Sequence, residues 1–102
     1  MGLTIVLENE RGEPLEQVED PTNVLHRLLP APEDATYRCL SGIDWYGDTV
    51  FNHLQAPQLL TEWRRASTAA SSPDESAVMK AIERMAERVA NERHLYLKFY
   101  GD

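Results

Sequence analysis

Asp44-Trp45-Tyr46-Gly47-Asp48 is the segment of this chain in which residue types that recognise other molecules lie closest together. Two carboxylates bracket two aromatic rings, and Gly47 lets the backbone turn between them. Aromatic rings give large, rigid contact area, and binding residues concentrate on loops. Carboxylates beside them select a cationic counterpart. The competing structural reading has Trp45 and Tyr46 plugging the edge of the core while Asp44 and Asp48 shape a turn.

A second acidic feature lies upstream. Between Glu8 and Asp20 stand six carboxylates and one base, Arg11. A run like this is usually a solvated face. On a hairpin it would be held as a fixed array, which speeds encounter with a basic surface and rejects wrong partners. Glu13, Glu16 and Glu19 therefore join Asp44, Trp45, Tyr46 and Asp48 as the expected partner-binding residues.

Catalytic chemistry finds less support. His26, His53 and His94 are the three imidazoles, and no Ser or Cys stands beside one in a nucleophile motif. Asp44, Asp48 and His53 offer oxygen and nitrogen ligands, but their spacing matches no established metal site. Cys39, between Arg38 and Leu40, reads as a small apolar residue and not as an activated thiol. No catalytic residue, metal or cofactor is expected. The enzymatic alternative is a site assembled only in three dimensions around Asp44, Asp48 and His53, with Cys39 as a further suspect.

Charge sharpens the choice of partner. The net charge is −7, and residues 1–55 hold ten acids against three bases, whereas residues 56–102 hold seven of each. That field repels phosphate backbones and forfeits the counterion release that drives nucleic-acid binding. A basic protein is the expected partner, with no nucleic acid and no membrane. No apolar run is long enough for a span. The start carries no basic segment of a signal peptide, and Val6 stands where a myristoylation motif needs Ser or Thr. Cys39 has no second cysteine to pair with. These features lead to an expectation of a cytoplasmic protein, monomeric or homodimeric.

The elements that must position these residues follow from periodicity. Leu3, Ile5 and Leu7 alternate with Thr4, Val6 and Glu8 as a strand with one buried face. Asn9 to Gly12 is turn chemistry, and Glu13 to Glu19 returns as a second strand. Asp20-Pro21 opens a helix, with Asp20 as cap and Pro21 at the first position. It carries Val24, Leu25, Leu28 and Leu29, and Pro30 and Pro32 stop it. Tyr37 to Ile43 suggests a short strand, and Thr49 to Phe51 a brief extended piece. A helix from near Pro57 buries Leu59, Leu60 and Trp63. Ser72-Pro73-Asp74-Glu75 is a capping box. It opens a helix whose Val78, Ile82, Met85 and Val89 form one stripe, ending near Glu92. Leu95, Leu97 and Phe99 then alternate along a final strand, expected inside the sheet beside the first.

Three segments carry a resemblance: Asp20-Pro21-x-Asn23-x-Leu25-His26-Arg27-Leu28-Leu29-Pro30, Tyr46-Gly47-Asp48-Thr49-Val50-Phe51-Asn52, and His94-Leu95-Tyr96-Leu97-Lys98-Phe99. Together the chain resembles a group of small acidic bacterial proteins to which no activity is assigned. Tyr46-Gly47 is also similar to the Tyr-Gly pair that opens a helix in barstar-type ribonuclease inhibitors. The Asn and Asp-Ala-Leu expected beyond that pair are replaced here by Thr49-Val50-Phe51-Asn52, and the early hairpin departs from that fold.

The expectation is a single α+β domain over residues 1–102, a mostly antiparallel sheet of three to four strands with about three helices on one face. Its expected function is non-enzymatic binding of the immunity, antitoxin or adaptor kind, with a self-associating housekeeping domain as a further alternative.

Overall fold

Period-two alternation at both ends of the chain builds the centre of the sheet. In the computed structural model, which describes residues 3–20, 23–31 and 33–101, β1 (Thr4–Asn9) pairs antiparallel with β2 (Pro14–Glu19) and with β4 (Leu95–Tyr100). The short β3 (Asp48–Phe51) pairs antiparallel with the other side of β4, giving the order β2-β1-β4-β3. The last strand is therefore central and lies beside the first, as its apolar alternation requires.

The register puts Leu3, Ile5, Leu7, Leu97, Phe99 and Phe51 on one face, where they meet the helices in a single core. Two helices supply most of that cover, α2 (Ala56–Ser67) and α3 (Pro73–Asn91). Trp63 of α2 is fully buried, its ring centroid 6.0 Å from that of Phe99, and its indole N–H donates to the Met79 carbonyl of α3 at 2.9 Å. The sequence stripe on α3 is shifted by one position at its start. Met79, Ile82, Met85, Ala86 and Val89 are buried, and Val78 lies at the margin. The box that opens α3 also differs in one partner. Ser72 Oγ accepts from the Glu75 N–H, but the Glu75 carboxylate reaches back to the Ser71 N–H at 2.8 Å.

Two further expectations are corrected. Tyr37 to Ile43 is not a strand but a pair of turns running into a 3₁₀ turn at Leu40–Gly42. The reason lies on α2. Glu62, only 2% exposed, accepts the Cys39 and Leu40 N–H groups at 2.8 and 3.0 Å and so takes donors that a strand ladder would need. The first helix is shorter than its apolar run implies, spanning Val24–Leu28 as α1. Asp20 caps it from outside: its carboxylate accepts the Val24 and Leu25 N–H groups at 2.8 and 2.9 Å while 4% exposed. Pro21 and Pro32, expected at its start and stop, lie outside the described residues.

The opposite sheet face carries no helix. At its centre Glu8 is 5% exposed, accepting Lys98 Nζ at 2.8 Å and the Tyr100 hydroxyl. Burial alone would push the Glu8 carboxyl up, but the hydrogen bonds from Lys98 and Tyr100 and the Lys98 charge outweigh it and hold it below the usual range. A lowered folded-state value means the carboxylate stabilises the fold above the ordinary glutamate range, and this contribution is lost as pH falls through the folded value. Lys98 and Tyr100 are both shifted upward, chiefly by their hydrogen bonds to Glu8, so their contribution is lost at the alkaline end. Glu8→Gln is expected to flatten the acid limb of a urea-midpoint-against-pH profile; an acid limb as steep as that of the wild type would contradict this account of the cluster.

Candidate functional site

Asp44 to Asp48 hangs at the end of the sheet where β3 begins and β4 finishes. Asp44 Oδ1 accepts the Tyr46 N–H at 2.9 Å, and Thr49 Oγ1 accepts the Asp44 N–H at 2.8 Å, so the turn is internally braced. Its position is fixed by β4. Gly101 donates its N–H to the Gly47 carbonyl at 2.8 Å, and a Cβ on Gly101 would collide with the Trp45 carbonyl. Side-chain-free backbone at that point is what lets the loop lie against the strand end.

Trp45 and Tyr46 take different roles. Tyr46 is 78% exposed, so it plugs nothing. Trp45 is half-buried and packs on the core, with its ring 5.5 Å from that of His26 in an edge-to-face arrangement. That contact joins the loop to α1. Between them lies an open cleft of about 600 Å³, lined by Trp45 and Tyr46 on one side and by Asn23, His26, Leu29 and Pro30 on the other. Asn23 adopts the left-handed region at φ 55°, which Asn tolerates, and its Oδ1 is buried with no partner among the described residues. A buried acceptor left unpaired costs on the order of 1–3 kcal/mol.

The rim is acidic. Asp44 and Asp48 are exposed, and register places Asp48, Tyr100, Thr4 and Glu19 in one row across the helix-free face. Three strand spacings separate Glu19 from Asp48, about 14 Å. None of Asp44, Asp48 and Glu19 enters an ion pair among the described residues.

The other early carboxylates are not one array. Glu16 pairs with Arg88 of α3 at 2.8 Å, Glu10 lies 3.2 Å from His94, and Glu8 is held by Lys98. Glu13 accepts the Asn9 amide at 2.9 Å, and Asp20 is consumed in capping. Of the expected binding residues, the structure brings Asp44, Trp45, Tyr46 and Asp48 to one end of the sheet with Glu19 at its far corner. Glu13 and Glu16 lie toward the hairpin end. Arg64 and Arg65 do not neutralise the early acids; Arg64 pairs with Glu83 and Glu87, and Arg65 stacks on Tyr37.

The suspects for an assembled catalytic site are dispersed. His53 follows β3 at its far end from Asp48 and donates from Nδ1 to the Val89 carbonyl, 3.0 Å away. It lines a shallow groove with Arg93, His94 and Tyr96 that contains neither Asp44 nor Asp48. Cys39 sits beside α2, where burial and the adjacent Glu62 carboxylate push its thiol up to about 11. At that value the thiolate fraction near pH 8 falls about 100-fold below that of an ordinary cysteine. Alkylation of Cys39 by iodoacetamide is accordingly expected to be about 100-fold slower in the folded chain than in urea. Comparable rates in the two states would contradict the burial of this thiol. Among the described residues no group of three or more His, Cys, Asp or Glu is placed to hold a metal ion.

The cleft's second wall escapes sequence reading. Asn23, His26, Leu29 and Pro30 lie about fifteen to twenty residues upstream of Trp45, and only a His one turn before a proline hints that they do more than end a helix. Among the described residues no helix is long and apolar enough to cross a membrane. Comparison of this chain with known protein families, curated proteins and solved structures finds no match.

Proposed function

We propose that this chain is a non-enzymatic binding module of the immunity, antitoxin or adaptor kind that docks a basic protein partner at the Asp44–Asp48 end of its sheet. One observation carries the reading. Tyr46 projects into solvent beside an apolar cleft, and Asp44 and Asp48 flank it with no ion-pair partner among the described residues. An exposed aromatic anchor with unneutralised acids around it has the composition of an interface centre that selects cationic surfaces. The dominant contribution thus comes from this end of the sheet. The hairpin carboxylates act at longer range on encounter, because Glu8 and Glu16 already have cationic partners. The lone, partly buried Cys39 accords with function in a reducing cytoplasm.

Affinity capture from the cells that express the protein tests this, run at about 50 mM and about 500 mM salt, where screening lengths differ roughly threefold. A basic protein retained by the wild type at low salt, released at high salt and lost with Tyr46→Ala is the expected outcome. Retention that is indifferent to Tyr46 and to salt would overturn the proposal.

A further inference from the structure

Building on this binding role, we infer that the cleft between Trp45 and α1 receives an arginine side chain of the basic partner. Its walls match the two halves of such a side chain. Leu29 and Pro30 present apolar surface suited to a methylene stem, and the Trp45 and Tyr46 rings offer faces on which a cation is attracted. Asp44, next to Trp45 in the chain and exposed, supplies the opposite charge, and none of the residues lining the cleft is a lysine or arginine.

Arginine fits these groups better than lysine. A guanidinium is flat and weakly hydrated, so it stacks on an aromatic face while its N–H groups donate in plane to carboxylate or carbonyl oxygens. A lysine ammonium is a strongly hydrated point charge and cannot do both. The chain already builds this arrangement internally. The Arg65 guanidinium lies 4.1 Å from the centroid of the Tyr37 ring and donates to the Thr36 carbonyl.

The test is a titration of the ¹⁵N-labelled full chain with capped Gly-Arg-Gly, Gly-Lys-Gly and Gly-citrulline-Gly peptides. Citrulline keeps the shape of arginine and removes its charge. The Trp45 indole N–H reports on the cleft, and the Trp63 indole N–H, bonded to Met79 in the core, serves as the unresponsive internal control. The arginine peptide is expected to move the Trp45 and Tyr46 resonances saturably, about fivefold tighter than the lysine peptide and more than about tenfold tighter than citrulline. Lysine binding at the same resonances as tightly as arginine would overturn the guanidinium assignment and leave the acidic docking end intact. No movement of Trp45 or Tyr46 with either cationic peptide would overturn both.

Discussion

Replacing Asp44 and Asp48 together by lysine is expected to weaken binding of the captured basic partner at least about 100-fold at low salt. Each carboxylate lies at the rim of the interface, and each reversal converts an attraction into a like-charge contact. A loss of about 1.4 kcal/mol per site already gives that factor. The milder pair Asp44→Asn and Asp48→Asn separates charge from architecture. Asn keeps an oxygen to accept the Tyr46 N–H, so the turn survives while both charges are removed. That variant should lose about tenfold at low salt and almost nothing at high salt, because screening has already removed the charge contribution from the wild type. Equilibrium titration against the captured partner at two salt concentrations checks both. Unaltered affinity in the lysine pair would mean that this end of the sheet does not dock the partner.

The largest effect on stability is expected from Trp63→Ala, about 3–5 kcal/mol. Trp63 is fully buried against Phe99, its indole N–H is satisfied by the Met79 carbonyl, and it bridges α2, α3 and the central strand at once. Protein interiors are close-packed, so a gap of this size is only partly refilled. For a domain of this size such a loss is a large fraction of the total. Trp63→Phe keeps a ring in place and is expected to cost clearly less. Urea unfolding followed by far-ultraviolet circular dichroism measures both, and an Ala variant within about 1 kcal/mol of the wild type would show that the core can collapse around the gap.

How much of this was readable from residue order depends on the range of the forces involved. The strands at both ends and the long helix declared themselves through local periodicity, because Leu95, Leu97 and Phe99 or Ile82, Met85 and Val89 need only one apolar side to make the pattern. Tyr37 to Ile43 misled for the opposite reason. What decides its conformation is a carboxylate more than twenty residues away, Glu62, which claims the Cys39 and Leu40 N–H groups. Asp20 was legible as a cap by its residue type, but its carboxylate accepts from Val24 and Leu25, and the helix begins at Val24, later than the rule implies.

The candidate site divides along the same line. Asp44, Trp45, Tyr46 and Asp48 stood out because they are adjacent in sequence. Their partner wall did not, since Asn23, His26, Leu29 and Pro30 reach them only after the sheet has brought the end of β2 to the same end as the start of β3 and the finish of β4. Net charge proved informative about sign and misleading about location. The six carboxylates from Glu8 to Asp20 suggested a fixed array. Ion pairing with Lys98 and Arg88, together with the capping duty of Asp20, leaves the unneutralised charge concentrated elsewhere.

The docking end itself can be interrogated by placing the photo-cross-linker p-benzoylphenylalanine at Tyr46 in living cells, with Leu54 as a matched position. Leu54 is 84% exposed and lies beyond the other end of β3, so it reports collisions that any apolar surface residue would suffer. Mass spectrometry of the adducts should find one protein cross-linked at position 46 through a lysine- and arginine-rich segment, with little or none at position 54. Equal adducts at both positions, or attachment at 46 to acidic or uncharged segments, would contradict the account.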